Sequence, residues 1–409
     1  MPRRRSLSKP PPLVFAVGPG ALRGLPVGSR AIRWGGAARG AGGAAVGPGS
    51  LAYILYTSGS TGVPRGVAHT HGSALAFAEW AARCFDVGPT DRLANHAGLS
   101  FDLSTFDLIA SALGGAAVCP VPEAARFHGG HLLRFVLKER PTVWYSVPTV
   151  WPRLLAADRA GELAASSLRL VLFAGEVFPL PHLRALREAL PAARLANLYG
   201  PTETNVCLWH EVEPADLETG RTAPVPIGRP LPATEVWSCD GDGLPVAPGA
   251  EGELLVTGPT LMRGYWQDEQ ATRAAMSPAP GRPGASAYRT GDRVVIGADG
   301  RCLFVGRSDE QVKVRGHRIE LGEVETVIAQ HPDVRETAVL AHGGAEDHHL
   351  VAFVVTDRGG PDGERDLRRH CRRWLDEAAV PARFIPLPAL PRTSNGKVDR
   401  VVLVKEAGW

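Results

Sequence analysis

From Leu51 onward the chain alternates short apolar runs with helix-length stretches, a rhythm that α/β layers produce and that all-helical or all-strand folds do not. The run LAYILYTSG, residues 51–59, is apolar and aromatic and ends in small residues, as a buried strand entering a loop does. Helices are expected over 73–84, 131–139 and 181–190, and apolar strands over 142–147 and 168–174. Between residues 224 and 258 proline and glycine rise around short strands at 234–238 and 252–257, which predicts a β subdomain. Past Gly306 comes a second compact unit, with strands expected at 311–314, 336–341 and 350–355 and helices at 323–330 and 366–377. No internal repeat is visible.

Composition limits the function classes. At 409 residues the chain exceeds one ordinary domain of roughly 150 residues. Its 44% hydrophobic and 21% charged content excludes wholesale disorder. No apolar run approaches the roughly 18 residues of a membrane helix. Residues 1–49 are rich in Gly, Ala, Pro and Arg and lack hydrophobic periodicity, so an irregular or disordered basic tail that forms no domain is expected there. That tail carries eight basic residues and no acid, and a net charge of +3 then leaves −5 for the remainder. A nucleic-acid binder needs its basic face on the folded part, so that class is set aside. Arg3–Arg5 is not followed by the apolar region of an export signal. Six cysteines, far apart and without a CxxC pair, indicate neither a disulfide scaffold nor a zinc knuckle, and a cytoplasmic setting is expected.

Four segments carry chemistry. Residues 56–66, YTSGSTGVPRG, form a hydroxyl- and glycine-rich loop leaving a strand. Converging N–H groups, hydroxyls and Arg65 suit a phosphate, although the Walker A spacing is absent. Residues 197–204, NLYGPTET, gather an amide, an aromatic face, a hydroxyl and a carboxylate around a turn. These can bond a base edge, stack on a base and hold Mg2+ against phosphate, although Tyr-Gly-Pro turns are also common structural features. Asp292 in YRTGD could accept bonds from ribose hydroxyls or simply cap a turn. The charged run 306–323 sits at a domain boundary, and residues 390–400, LPRTSNGKVDR, place Lys397, one of only five lysines, after an Asn-Gly turn.

In this order and spacing the segments resemble the adenylate-forming superfamily, specifically adenylation domains of nonribosomal peptide synthetases. The resemblance covers roughly residues 51–401 and includes GELLVTG at 252–258 and RGYW at 263–266. It implies an α/β fold: a large multi-subdomain N-terminal α/β domain at 50–306, a hinge at 307–310 and a smaller, mobile α+β C-terminal lid at 311–409. It also implies activation of a carboxylate by ATP and Mg2+, then transfer to a phosphopantetheine thiol. Thr57, Ser58, Gly59, Ser60, Thr61, Gly62 and Arg65 would embrace the phosphates, and Gly175 and Glu176 would border the nucleotide. Tyr199 with Gly200 would stack on adenine and Asn197 would bond its edge. Thr202 and Glu203 would reach phosphate and metal. Asp292 would hold the ribose, Arg307 would lie near ribose and phosphate, Asp309 would be the hinge, and Lys397 would be the adenylation lysine.

The segment FDLSTF, residues 101–106, resembles the family element whose aspartate pairs with a substrate α-ammonium, which makes Asp102 the mark of an amino-acid substrate. A helix-capping Asp is its structural alternative. The resemblance lines the pocket with Leu103, Phe106, Tyr145, Leu172, Ala174, Leu198, Val206 and Cys207, implying a neutral, small to medium side chain. Family members carry a long structured stretch before the phosphate loop, so part of the N-terminal domain is expected to be missing. The acceptor would be a carrier protein in trans, and a small MbtH-like accessory protein is a further implied partner. Arg65 stands where the family usually has Lys, which keeps the charge and changes its geometry. The rival readings are an acyl- or aryl-CoA ligase, for which Asp102 would meet no cation, and a silent scaffold.

Overall fold

The computed structural model describes residues 47–57, 65–221, 223–308, 311–314, 317–343, 349–356, 360–392 and 398–406, and the backbone of strands Leu13–Val17 and Arg30–Trp34. The chain divides into two units, Met1–Val46 and Gly47–Trp409. In the first, the two strands pair in parallel, with Leu13 opposite Arg30 and Val17 opposite Trp34. Regular backbone therefore occurs where composition gave no period. The apolar content of LVFAV and RAIRW is strand-like, but each run is too short to stand out among glycines.

The second unit is built on a seven-stranded sheet. Its order is Arg229–Pro230, Leu208–Glu211, Arg194–Tyr199, Leu170–Ala174, Val143–Ser146, Arg92–Asn95, Ala117–Pro120. The last five run parallel. Strands Val143–Ser146 and Leu170–Ala174 are buried along their whole length. That burial explains their unbroken apolar character, since a parallel sheet is covered on both faces. Helices Gly129–Glu139, Val150–Ala157 and Leu180–Ala189 supply cover. Each presents apolar residues at helical spacing, such as Leu180, Leu183 and Leu186, to a core containing Trp144, Trp151 and Phe173. Helix His71–Cys84 starts at a capping box in which the Thr70 hydroxyl accepts the Ser73 N–H at 3.1 Å and Ser73 Oγ accepts the Thr70 N–H at 3.1 Å.

A buried carboxylate fastens the N-terminal end of this sheet. Asp91, immediately before strand Arg92–Asn95, accepts from Arg169 Nε at 2.8 Å, Thr142 Oγ1 at 2.6 Å and Gly88 N–H at 2.9 Å. It thereby ties together the starts of three strands. Burial pushes this carboxyl up, but the three donors outweigh it and hold the group below the ordinary aspartate range. Asp91→Ala is expected to cost about 2–3 kcal/mol, because it strands the donors. The wild-type contribution is present above the unfolded aspartate pKa and is lost as pH falls through the lower folded value. Denaturant titration of both proteins at neutral and acidic pH checks it: the gap should narrow on acidification.

Two further sheets flank the first. One is antiparallel, Glu235–Cys239, Glu251–Thr257, Ser286–Ile296 and Met276–Pro278, with Cys302–Arg307 on Ser286–Ile296. The other joins Gly264–Tyr265, Arg65–Thr70 and Leu51–Thr57. Past residue 310, hairpin Gln311–Val314 and His317–Glu320 precedes a three-stranded sheet of Val334–His342, His349–Thr356 and Arg383–Pro386. Helices Leu321–Ala329 and Gly360–Cys371 pack there around a core of its own, including Ile319, Val324, Ile328, Val354 and Leu367. Helix Gly360–Cys371 begins six residues earlier than the sequence suggested, at Gly360 rather than 366, and stops at Cys371, with Leu367 and Cys371 its buried residues. Among the described residues no helix is long and apolar enough to cross a membrane.

Candidate active site

Strands Val143–Ser146, Leu170–Ala174 and Arg194–Tyr199 end on the same edge of the sheet, the edge where parallel α/β sheets place ligands. Two clefts open there and share Gly175. The first, about 600 Å³ including its open mouth, is lined by Asp102, Leu103, Tyr145, Ala174, Gly175, Gly200, Thr202, Val206, Asp292 and Arg307, and by Phe101, Pro201 and Asn205. The second, about 500 Å³ including its open mouth, is bordered by Glu176, Asn197, Leu198 and Tyr199, with Phe178, Ile227 and Phe304 among its apolar walls. Backbone shape decides two positions. Gly175 has φ +91, a conformation that L side chains rarely adopt, and a Cβ on Gly200 would lie 1.6 Å from the Asn205 carbonyl oxygen.

A buried polar clamp joins the two clefts, Asp292 and Arg307 lining the first and Tyr199 the second. Antiparallel pairing of Ser286–Ile296 with Cys302–Arg307 sets Asp292 opposite Arg307. The Arg307 guanidinium pairs with one Asp292 oxygen and the Tyr199 hydroxyl donates to the other. Burial, then the Asp292 charge, pushes the Tyr199 hydroxyl well above the ordinary tyrosine range, so it remains a donor. Asn197 Nδ2 donates to the Pro226 carbonyl at 2.9 Å, which leaves its amide oxygen as the acceptor it can offer a base amine. Tyr199→Phe is expected to raise the KM for nucleotide about fivefold by removing one charge-assisted hydrogen bond from the clamp. Steady-state kinetics at saturating co-substrate check it.

In the first cleft Asp102 is half-buried rather than an exposed cap, and Thr202 Oγ1 donates to its Oδ2 at 2.6 Å. The turn 101–105 is closed by Ser104 N–H to the Phe101 carbonyl and Thr105 Oγ1 to the Asp102 carbonyl, and leads into a π-helical turn, Phe106–Ala110. Burial, then the nearby Asp102 and Asp107 charges, raises the Tyr145 hydroxyl far above its usual range, so it is a neutral wall. Glu203, 1% exposed, accepts from the Tyr265 hydroxyl at 2.8 Å, and Arg65 lies 5.5 Å over the Tyr265 ring. Arg65 thus has an aromatic face on which its planar guanidinium stacks.

Three expected wall residues stand behind the cleft instead. Leu172 is buried one pleat deeper along its strand than Ala174. Phe106 packs edge-on against Tyr145 at 5.6 Å within the main core. Cys207, the residue after Val206, packs into a cluster with Tyr199 and Cys302. Leu198 borders the second cleft rather than the first. Thr57 closes its strand opposite Arg65. Ser58, Gly59, Ser60, Thr61, Gly62, Asp309 and Lys397 lie outside the described residues. Asn205 was not marked by the sequence, and Tyr265 was marked only as part of RGYW. Asn205 immediately follows the NLYGPTET turn, and a turn residue at φ +50 is a role asparagine tolerates; Tyr265 carries no local signal of its bond to Glu203.

Elsewhere, His331, Asp333 and Asp366 approach one another within 4.8 Å. His331 Nδ1 accepts the Asp333 N–H at 3.2 Å, which places the ring N–H on Nε2, facing Asp366 at 3.5 Å. That tautomer suits a structural pair between the segment after helix Leu321–Ala329 and helix Gly360–Cys371, not a metal ligand.

These features define an adenylate-forming enzyme, and the chain belongs to the AMP-binding enzyme family, which it matches over residues 27–266, with the AMP-binding enzyme C-terminal domain matching residues 323–397. The match begins well inside the stretch expected to be an irregular tail, so residues 27–49 are part of the family region. The chain is 45% identical over 365 residues to an L-proline--[L-prolyl-carrier protein] ligase of Pseudomonas fluorescens, covering 88% of this chain and 70% of that protein. A protein of the same description from Streptomyces coelicolor is 45% identical over 355 residues, covering 86% of this chain and 65% of that protein. Among solved structures, the Vibrio cholerae adenylation domain AlmE in complex with glycyl-adenosine-5'-phosphate superposes with a TM-score of 0.77 at 29% identity, covering 89% of this chain and 68% of that one.

Proposed function

We propose that this protein activates a small neutral amino acid, with L-proline the leading candidate, and transfers it to a carrier protein. One observation carries the reading: a half-buried carboxylate, Asp102, lines a cleft walled by Leu103, Tyr145, Ala174 and Val206 and joined through Gly175 to a second cleft with nucleotide-binding tools. A carboxylate facing this cleft offers a substrate α-ammonium its counter-charge, and partial withdrawal from water strengthens that pairing. A proline ammonium offers two N–H donors to Asp102, and the neutral wall asks no charge of the ring.

In the first half-reaction a substrate carboxylate oxygen attacks the α-phosphorus of ATP, a bond to that phosphorus forms, and the bond to pyrophosphate breaks. Tyr199 supports adenine, Asn197 accepts from its amine, and the Asp292–Arg307 pair receives the ribose. Glu203 offers the hard oxygen donor that Mg2+ prefers, oriented by Tyr265, and the ion would neutralise phosphate charge. Residues 58–62 with Thr57, Arg65 and Thr202 would hold the phosphates. Lys397, brought in by the 311–409 lid, bridges carboxylate and α-phosphate. In the second half-reaction the lid turns about Asp309, the phosphopantetheine sulfur attacks the acyl carbon, AMP leaves, and the thiol proton passes to solvent. The chemistry, needing ATP and a reduced thiol, suits the cytoplasm. A small MbtH-like protein is a further partner to test by co-expression.

The relatives named for L-proline support the substrate choice, and glycyl-adenylate in the AlmE structure supports the chemistry. ATP–pyrophosphate exchange across the proteinogenic amino acids tests it. The greatest exchange is expected with L-proline; maximal exchange with an acidic, basic or large aromatic amino acid would overturn the substrate assignment.

A further inference from the structure

We propose that His69 is a positioning residue for the amino-acid site, acting through the backbone of Thr202. His69 is fully buried near the end of strand Arg65–Thr70, in a sheet separate from the one that carries the clefts. Its Nε2 lies 2.8 Å from the Thr202 carbonyl oxygen and its Nδ1 lies 3.0 Å from Ser73 Oγ. A carbonyl can only accept, so Nε2 bears the proton and Nδ1 of the neutral ring accepts from the Ser73 hydroxyl. Burial, which lowers the basicity of the ring, favours that neutral form.

The partner of His69 across the strand pair is Tyr53, whose ring stacks on it at 5.1 Å. The Tyr53 hydroxyl accepts from Asn205 Nδ2 at 3.2 Å. One strand pair therefore grips both ends of the turn from Thr202 to Asn205. That turn needs gripping: Asn205 sits at φ +50, and the Asn205 carbonyl fills the space a Cβ on Gly200 would occupy. Among the described residues, the Thr202 carbonyl receives one other hydrogen bond, a long one of 3.3 Å from the Asn205 N–H. Holding that carbonyl fixes the residue whose hydroxyl meets Asp102 at 2.6 Å. A core leucine would fill the same volume without setting this angle. The imidazole, which must satisfy two buried nitrogens, contributes direction beyond packing.

The inference rests on the proposed amino-acid site, and its test separates the two. His69→Gln keeps a donor near the Nε2 position, His69→Asn reaches only as far as Nδ1, and His69→Leu has neither. In L-proline-dependent exchange with the full chain, His69→Gln should keep the amino-acid KM within about threefold of wild type. His69→Asn and His69→Leu should raise it about tenfold, the loss of one buried hydrogen bond. In a Thr202→Val background, where the hydroxyl is already gone, His69→Leu should add less than about threefold. Asparagine matching glutamine, a wild-type KM for leucine, or full additivity with Thr202→Val would overturn the positioning role. A wild-type chain without amino-acid-dependent exchange would overturn the functional reading itself, and this inference with it.

Discussion

Lys397→Ala is expected to lower amino-acid-dependent ATP–pyrophosphate exchange by about 10²-fold or more, while thioester formation from preformed aminoacyl-adenylate falls less than about fivefold. As the substrate carboxylate approaches the α-phosphate two anions meet, and a fixed ammonium between them stabilises the charge that builds in the transition state. After adenylation that charge has left with pyrophosphate, and the second step has no need of the amine. The lysine sits in the segment 393–397, whose flanks are joined by the antiparallel bridge Arg392–Val398 and by the Asp399 N–H to the Pro391 carbonyl at 2.8 Å. Rapid-quench measurement of the two half-reactions separates the effects. Equal loss in both would indicate a general structural defect, and unchanged exchange would remove Lys397 from the chemistry.

Asp102→Ala carries the second large effect. Removing the anion from a half-buried ion pair leaves the substrate ammonium desolvated and without its counter-charge, which costs about 3–5 kcal/mol. Catalytic efficiency with L-proline should therefore drop about 10²–10⁴-fold. Cyclopentanecarboxylate, which has a methylene in place of the amine, never used that carboxylate. Its activation should change less than about threefold, so the variant loses discrimination rather than all chemistry. Competitive exchange assays with both acids read this directly. A parallel drop for both acids would mean that Asp102 supports the fold and not the ammonium.

The parallel-sheet domain was legible because its strands are covered on both faces and so form continuous apolar runs; Val143–Ser146 and Leu170–Ala174 lie inside the expected strands. The clefts were legible in part. Asp102, Tyr145, Ala174 and Val206 line one cleft and Asn197 and Tyr199 the other, in the C-terminal halves of strands or in the turns that follow them. Depth was not legible: whether Leu172 or Ala174 forms the wall depends on how far along the strand the cleft reaches. Contacts between sheets were equally hidden. His69 and Thr202 lie 133 residues apart and Tyr265 and Glu203 lie 62 apart, and no local pattern announces either bond. The strands within 1–46 were not legible because runs of five residues, one of them interrupted by two arginines, give too little periodicity to read.

The most direct test of amino-acid recognition by Asp102 is a comparison of wild-type ATP–pyrophosphate exchange with L-proline and with cyclopentanecarboxylate. An efficiency about 10²-fold or more higher with L-proline is the predicted result. Equal efficiencies would contradict it and would place the chain with ligases of simple carboxylic acids.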